Sequence, residues 1–104
     1  MIKAEFYLKD EILVGFSVEG HAGFADFGLD VVCASVTSAV ELTANAITEI
    51  VGHKASVLVL ENKVRLNLIK QDSRSTDFIK ALRLHLELLS NDYSEFLCVK
   101  DISI

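Results

Sequence analysis

Ile2-Lys3-Ala4-Glu5-Phe6-Tyr7-Leu8-Lys9-Asp10-Glu11-Ile12-Leu13-Val14-Gly15-Phe16-Ser17-Val18 is a hairpin written in period two. Ile2, Ala4, Phe6 and Leu8 alternate with Lys3, Glu5, Tyr7 and Lys9, so a pleated strand puts the first set on one face. Ile12, Val14, Phe16 and Val18 repeat the alternation after Asp10-Glu11, a polar pair short enough to close a tight turn. A hairpin with one apolar face must bury that face against a second layer.

The second layer is legible downstream. Val32, Val36, Val40, Thr43, Ala44, Ile47 and Val51 step by three and four, the stripe of a helix, with Asp30 expected as its N-cap and Gly52 as its left-handed end. A second hairpin follows, Ser56 to Leu60 and Lys63 to Lys70, joined at Glu61-Asn62. Ser75 is expected to cap a second helix with Phe78, Leu82, Leu86, Leu89 and Tyr93 turned inward. Glu95 to Ile104 reads as a last strand. The order β-β-α-β-β-α-β predicts a single α/β (α+β) domain over residues 1–104, a two-layer sandwich with a five-stranded mixed sheet and two helices on one face.

With 104 residues the chain is long enough to bury a core without staples. The net charge is −5 and the ten Lys and Arg are scattered, so no basic stripe invites nucleic acid. Apolar runs are broken by charge before about 20 residues, which predicts no membrane span, and Lys3 and Glu5 interrupt any signal-peptide pattern. The 51% apolar content is high for so small a domain and points to a subunit interface. Ala81, Leu84 and Leu88 form an extra apolar line on the second helix that either broadens the core contact or meets a second copy. Cys33 and Cys98 form no even framework, which fits reduced thiols in the cytoplasm.

Polar chemistry concentrates in one run, Gly20-His21-Ala22-Gly23-Phe24-Ala25-Asp26-Phe27-Gly28-Leu29-Asp30-Val31-Val32-Cys33-Ala34. Behind an Asp30 cap, Cys33 would be the third helical residue, where unpaired N–H groups and the helix dipole favour a thiolate. His21, on a glycine-flanked loop, is placed to serve such a thiol as a base. Cys98, between Leu97 and Val99, reads as a small hydrophobe, His53 as a residue at a helix end and His85 as a boundary residue. Spacings among His21, Cys33, His53 and Cys98 contain no zinc pattern, and no phosphate-loop motif follows the glycines, so neither metal nor other cofactor is expected.

Gly20-His21-Ala22-Gly23, followed by Gly28-x-Asp30-Val31-Val32-Cys33-Ala34, resembles the ribosomal-processing cysteine protease family, and the order of elements is similar along the whole chain. The resemblance implies a His21–Cys33 catalytic dyad, with Asp30 supporting it. It places Thr37 where a serine is usual, which keeps the hydroxyl but adds a branch. It further implies a homodimeric cytoplasmic endopeptidase that cuts the N-terminal extension of large-subunit ribosomal protein number twenty-seven after an apolar, aromatic-rich motif.

On that basis Cys33 is the expected nucleophile and His21 the acid–base, with backbone N–H groups near Cys33 and Ala34 holding the oxyanion. Gly20, Gly23 and Gly28 would let the loop open and close, and Phe24 and Phe27 would line the cleft. A binding module for ribosome assembly would need neither His21 nor Cys33. A thiol redox or acyl-transfer enzyme would use Cys33, and its redox form would need Cys98 beside it.

Overall fold

The computed structural model describes residues 1–20 and 27–104, with the side chains of 27–30 excepted. β1 (Ile2–Lys9) and β2 (Ile12–Glu19) form the first hairpin, and the helix α1 (Phe27–Asn45) runs on through a π-helical segment, Ala46–Val51. β3 (Ala55–Leu60) and β4 (Lys63–Leu68) form the second hairpin, followed by α2 (Ser73–Asp92) and β5 (Leu97–Ser103). The sheet order is β3-β4-β2-β1-β5, and only the β1–β5 pair is parallel. The expected five-stranded mixed sheet with two helices on one face is the fold observed.

The first turn works as read: Asp10 and Glu11 both take positive φ, 53° and 65°, the pair that matches a two-residue loop to the twist of its strands. The phase of β2 does not. Leu8 opposes Leu13 while Tyr7 opposes Gly15, so Val14 is an extra, bulged residue. The bulge shifts the inward set by one position. Leu13 is buried in the core, Ile12 is exposed and Val14 is half-buried, whereas Phe16 and Val18 stay inward as expected. Phe6 and Phe16 sit opposite each other, their ring centroids 6.2 Å apart.

α1 lays Val32, Val36, Val40 and Ile47 on the sheet, and Gly52 ends the run at φ 72°. The helical run Val31–Val51 is long and apolar enough to cross a membrane by length and composition, because only Glu41 and Glu49 interrupt it. That corrects the sequence expectation, although here Val32, Cys33, Val36, Val40 and Ile47 belong to the core of the sandwich, while Val31, Leu42 and Ile50 are exposed. The cap of α2 is Asp72, not Ser75. Asp72 Oδ2 accepts from the Ser75 backbone N–H at 2.9 Å and from the Ser75 hydroxyl at 2.7 Å. Ile79, three residues before Leu82, is buried in place of Phe78, which is partly exposed, while Leu82 and Leu86 face inward as expected. The Thr76 hydroxyl donates to the Leu13 carbonyl at 2.8 Å and pins α2 to the bulged end of β2. Ala81, Leu84 and Leu88 are exposed, so this line does not widen the core.

Candidate active site

A cleft of about 550 Å³ opens between α1 and one end of the sheet. Its floor is apolar: Ile2, Val18 and Val64 from three neighbouring strands, and Val36 and Val40 from α1. Cys33, Thr37 and Glu41 follow one another at four-residue spacing along the same helix wall. Gly20 and the Glu61-Asn62 turn close the far side.

Cys33 is 7% exposed and belongs both to the core cluster and to the lining of this cleft. Thr37 differs from Ser35, Thr43 and Thr48 on the same helical run. The hydroxyls of Ser35, Thr43 and Thr48 each donate to a carbonyl four residues back, while Thr37 has no partner among the described residues. Its hydroxyl is therefore available to whatever enters the cleft.

Gly20 is required by close packing rather than by freedom of the loop. A Cβ there would meet the Ile2 Cα at 2.7 Å, and the Gly20 N–H donates to the Asn62 carbonyl at 3.0 Å. The residue before His21 in sequence is thus fixed in the lining of the same cleft as Cys33.

Other expectations need correction. α1 begins at Phe27, so Asp30 is its fourth residue and not its N-cap, and Cys33 is the seventh rather than the third. Phe27 and Gly28 are helical rather than loop residues. A glycine costs little in a first turn, whose N–H groups are unpaired in any case. Only those first N–H groups lack partners within a helix, so the N–H groups of Cys33 and Ala34 are committed to carbonyls one turn earlier and are not helix-start oxyanion donors. The Ala34 side chain is exposed and does not line the cleft. His21, Gly23 and Phe24 lie outside the described residues, as do the side chains of Phe27 and Asp30 and the proposed opening of the loop.

Cys98 pairs in register with Lys3 on β1, between core-facing Leu97 and Val99, and so occupies the sheet face away from the helices. It cannot approach Cys33, and the resolving partner that redox chemistry needs is missing from this side of the sheet. His53 Nε2 lies 2.7 Å from the Lys70 carbonyl, a tie at the helix end, and His85 is exposed on α2. Sequence reasoning missed Glu41, Glu61 and Asn62. Glu41 was within reach of it, since it continues the four-residue spacing from Cys33 through Thr37. The Glu61-Asn62 turn was not, because only the sheet order carries it to the end of β2.

The sequence matches the family described as cysteine protease Prp over residues 1–98. Among solved structures, the chain is similar to SMU.848 from Streptococcus mutans, with 25% identity and a TM-score of 0.91, covering 100% of this chain and 99% of that one. It is also similar in fold to the ribosomal processing protease Prp from S. aureus in complex with a substrate peptide, at 16% identity and a TM-score of 0.90, covering 98% of this chain and 100% of that one. The same S. aureus protease with a covalently linked product peptide gives 17% identity and a TM-score of 0.87, with coverage of 98% and 100%. No curated protein matches the chain. With the family match running from the first strand into the last, and with Cys33 on the wall of an open apolar cleft, the chain belongs to the ribosomal-processing cysteine protease family Prp and is a cysteine protease.

Proposed function

We propose that this protease removes the N-terminal extension of large-subunit ribosomal protein number twenty-seven after an apolar, aromatic-rich motif, with Cys33 and His21 as its dyad. The observation that carries the reading is the placement of Cys33 on the wall of a cleft with a valine- and isoleucine-rich floor. An extended apolar segment gains most by burying its side chains there, and it then presents a carbonyl to the thiol.

In the first step His21 takes the Cys33 proton and Sγ adds to the scissile carbonyl carbon. The C–N bond breaks as His21 returns that proton to the leaving amine, and a thioester remains on Cys33. Water, deprotonated by His21, then attacks the thioester carbon. The C–S bond breaks, the thiolate recovers its proton from His21, and the product leaves as the carboxylic acid, which gives its proton to solvent. Gly20 supports the assignment of the base, since it lines the cleft and His21 follows it directly in sequence. The S. aureus protease has been seen with a covalently linked product peptide, and in this chain the atom proposed for such a link is Cys33 Sγ. A homodimer working in the cytoplasm belongs to the same reading.

Incubating the protein with that ribosomal protein bearing its extension, followed by intact-mass spectrometry, tests it. Loss of the extension at a single bond is expected, with no cleavage by Cys33→Ala. An intact substrate after incubation with folded wild-type protein overturns the assignment.

A further inference from the structure

The ten Lys and Arg are scattered in sequence, yet the sheet gathers half of them on one surface. Its face turned away from the helices carries Lys3 and Lys9 of β1, Lys63 and Arg65 of β4, and Lys100 of β5. Against these cations the strands place only Glu5 and Glu19 there, in a chain whose net charge is −5. Asp101 turns to the other side and pairs with Arg83 of α2. Register fixes the neighbours. Lys3 and Lys63 flank Glu19, while Glu5 lies between Lys100 and Ser17, with Arg65 beyond Ser17. Lys63 is paired with Glu19 at 3.3 Å, whereas Lys3, Lys9, Arg65 and Lys100 make no ion pair among the described residues. Arg65 makes no hydrogen bond among them either, and its Nε is buried without an acceptor. Tyr7, half-buried, stands on the same face between Glu5 and Lys9.

We propose that this open face binds single-stranded RNA, with Lys3, Arg65 and Lys100 on phosphates and a base stacked on Tyr7. A five-stranded sheet is too broad for a duplex groove, whereas unpaired bases lie on a sheet and stack on its aromatic side chains. From Lys3 to Lys9 the strand β1 runs about 20 Å at roughly 3.4 Å per residue, room for several nucleotides. The unused guanidinium fork of Arg65 matches the paired oxygens of a phosphate. The Cys33 cleft is unsuited to the same ligand, because Glu41 and Glu61 line it and repel phosphate. RNA and peptide therefore occupy different surfaces. An acidic protein would satisfy the cations but would leave Tyr7 without a role. The choice of RNA over DNA rests on the ribosomal substrate proposed above, since a face that holds RNA keeps the protease beside a protein assembled on RNA.

Fluorescence anisotropy with a labelled single-stranded RNA of about 12 nucleotides tests it, with folding of each variant checked by circular dichroism. Affinity should fall about 20-fold between roughly 50 and 200 mM salt, the response of three phosphate contacts on a single strand. Lys3→Gln combined with Lys100→Gln, both at exposed positions, should weaken binding about tenfold and flatten the salt response, with peptide cleavage unchanged. Tyr7→Leu should weaken it about fivefold or more through lost stacking. Lys80→Gln, exposed on α2, should bind as wild type does. No binding by the folded wild type at low salt overturns the proposal, and so does binding that ignores the substitutions on the sheet. Polyglutamate that competes as well as RNA, with Tyr7→Leu unimpaired, would assign the face to an acidic protein and sink it. Tighter binding of the matching DNA strand sinks the choice of RNA. Cleavage is scored apart, so RNA binding by a protein that leaves the ribosomal substrate intact would overturn the substrate reading alone.

Discussion

A Cβ atom on Gly20 would stand 2.7 Å from the Ile2 Cα and 2.8 Å from its Cγ1, so the chain leaves β2 pressed against the start of β1. Even a methyl group there must part the two strand ends, and both Gly20 and Ile2 line the Cys33 cleft. Gly20→Ala is expected to cost about 1–3 kcal/mol by overpacking and to lower peptide cleavage through a displaced cleft wall. Denaturant unfolding together with a cleavage assay checks both effects. A variant as stable and as active as wild type would show the contact to be slack.

Cys33 and Cys98 lie on opposite faces of the sheet, and their substitutions should separate cleanly. Cys33→Ala removes the nucleophile and a buried sulfur at once. It should abolish cleavage while costing about 1 kcal/mol of stability. Cys98→Ser should keep its activity. Iodoacetamide should inactivate the wild type in step with labelling at Cys33, as followed by peptide mass spectrometry. Inactivation that tracks the Cys98 label instead would contradict the dyad.

Element order and the inward stripe of α1 were legible because burial repeats with the period of each element, and Val32, Val36, Val40 and Ile47 carry that period without interruption. The misreadings fall where contacts distant in sequence decide a bulge or a helix start. Val14 is apolar and fits the alternation. Its bulge is forced by pairing with β1 and by Thr76 reaching the Leu13 carbonyl, neither of which is local in sequence. Ser75 and Asp72 are both good caps, and Asp72 takes the role; Leu82 and Leu86 stay inward as expected, with Ile79, three residues before Leu82, buried in place of Phe78. The nucleophile was legible from its segment. The other half of its cleft was not, because β4 and the Glu61-Asn62 turn are carried there by sheet order.

Asp72 ties the acid stability of the fold to one helix cap. Its carboxyl is held below the ordinary value of 3.8, first by the Ser75 hydroxyl and then by the Ser75 backbone N–H. The folded state thus prefers the carboxylate. The stabilisation is fully present above 3.8 and is lost as pH falls through the lower folded-state value. Asp72→Ala should melt at a lower temperature than wild type at neutral pH, with the gap closing in strong acid. Asp72→Asn, which can still cap, should fall between them at neutral pH and show less acid dependence. Thermal melts across pH read this directly, and a gap that does not narrow would assign the cap's value to something other than the carboxylate.

Thr37 stands one helical turn beyond Cys33, on the same wall of the cleft, with a hydroxyl that bonds nothing among the described residues. Neighbouring Thr43 and Thr48 spend theirs on helix carbonyls, so the difference follows from position and not from residue type. An exposed hydroxyl contributes little to folding, whereas one that meets substrate is worth about 0.5–1.5 kcal/mol once water is excluded. Thr37→Val keeps the shape and removes the donor and acceptor, so it should reduce kcat/KM by roughly three- to tenfold while leaving the unfolding midpoint in place. Thr37→Ser keeps the hydroxyl and sheds the branch, so it should retain most of the activity. Peptide cleavage by the two variants discriminates between the readings: a loss in Thr37→Ser with none in Thr37→Val would make the methyl group the part that matters, and no loss in either would leave Thr37 outside the peptide's reach.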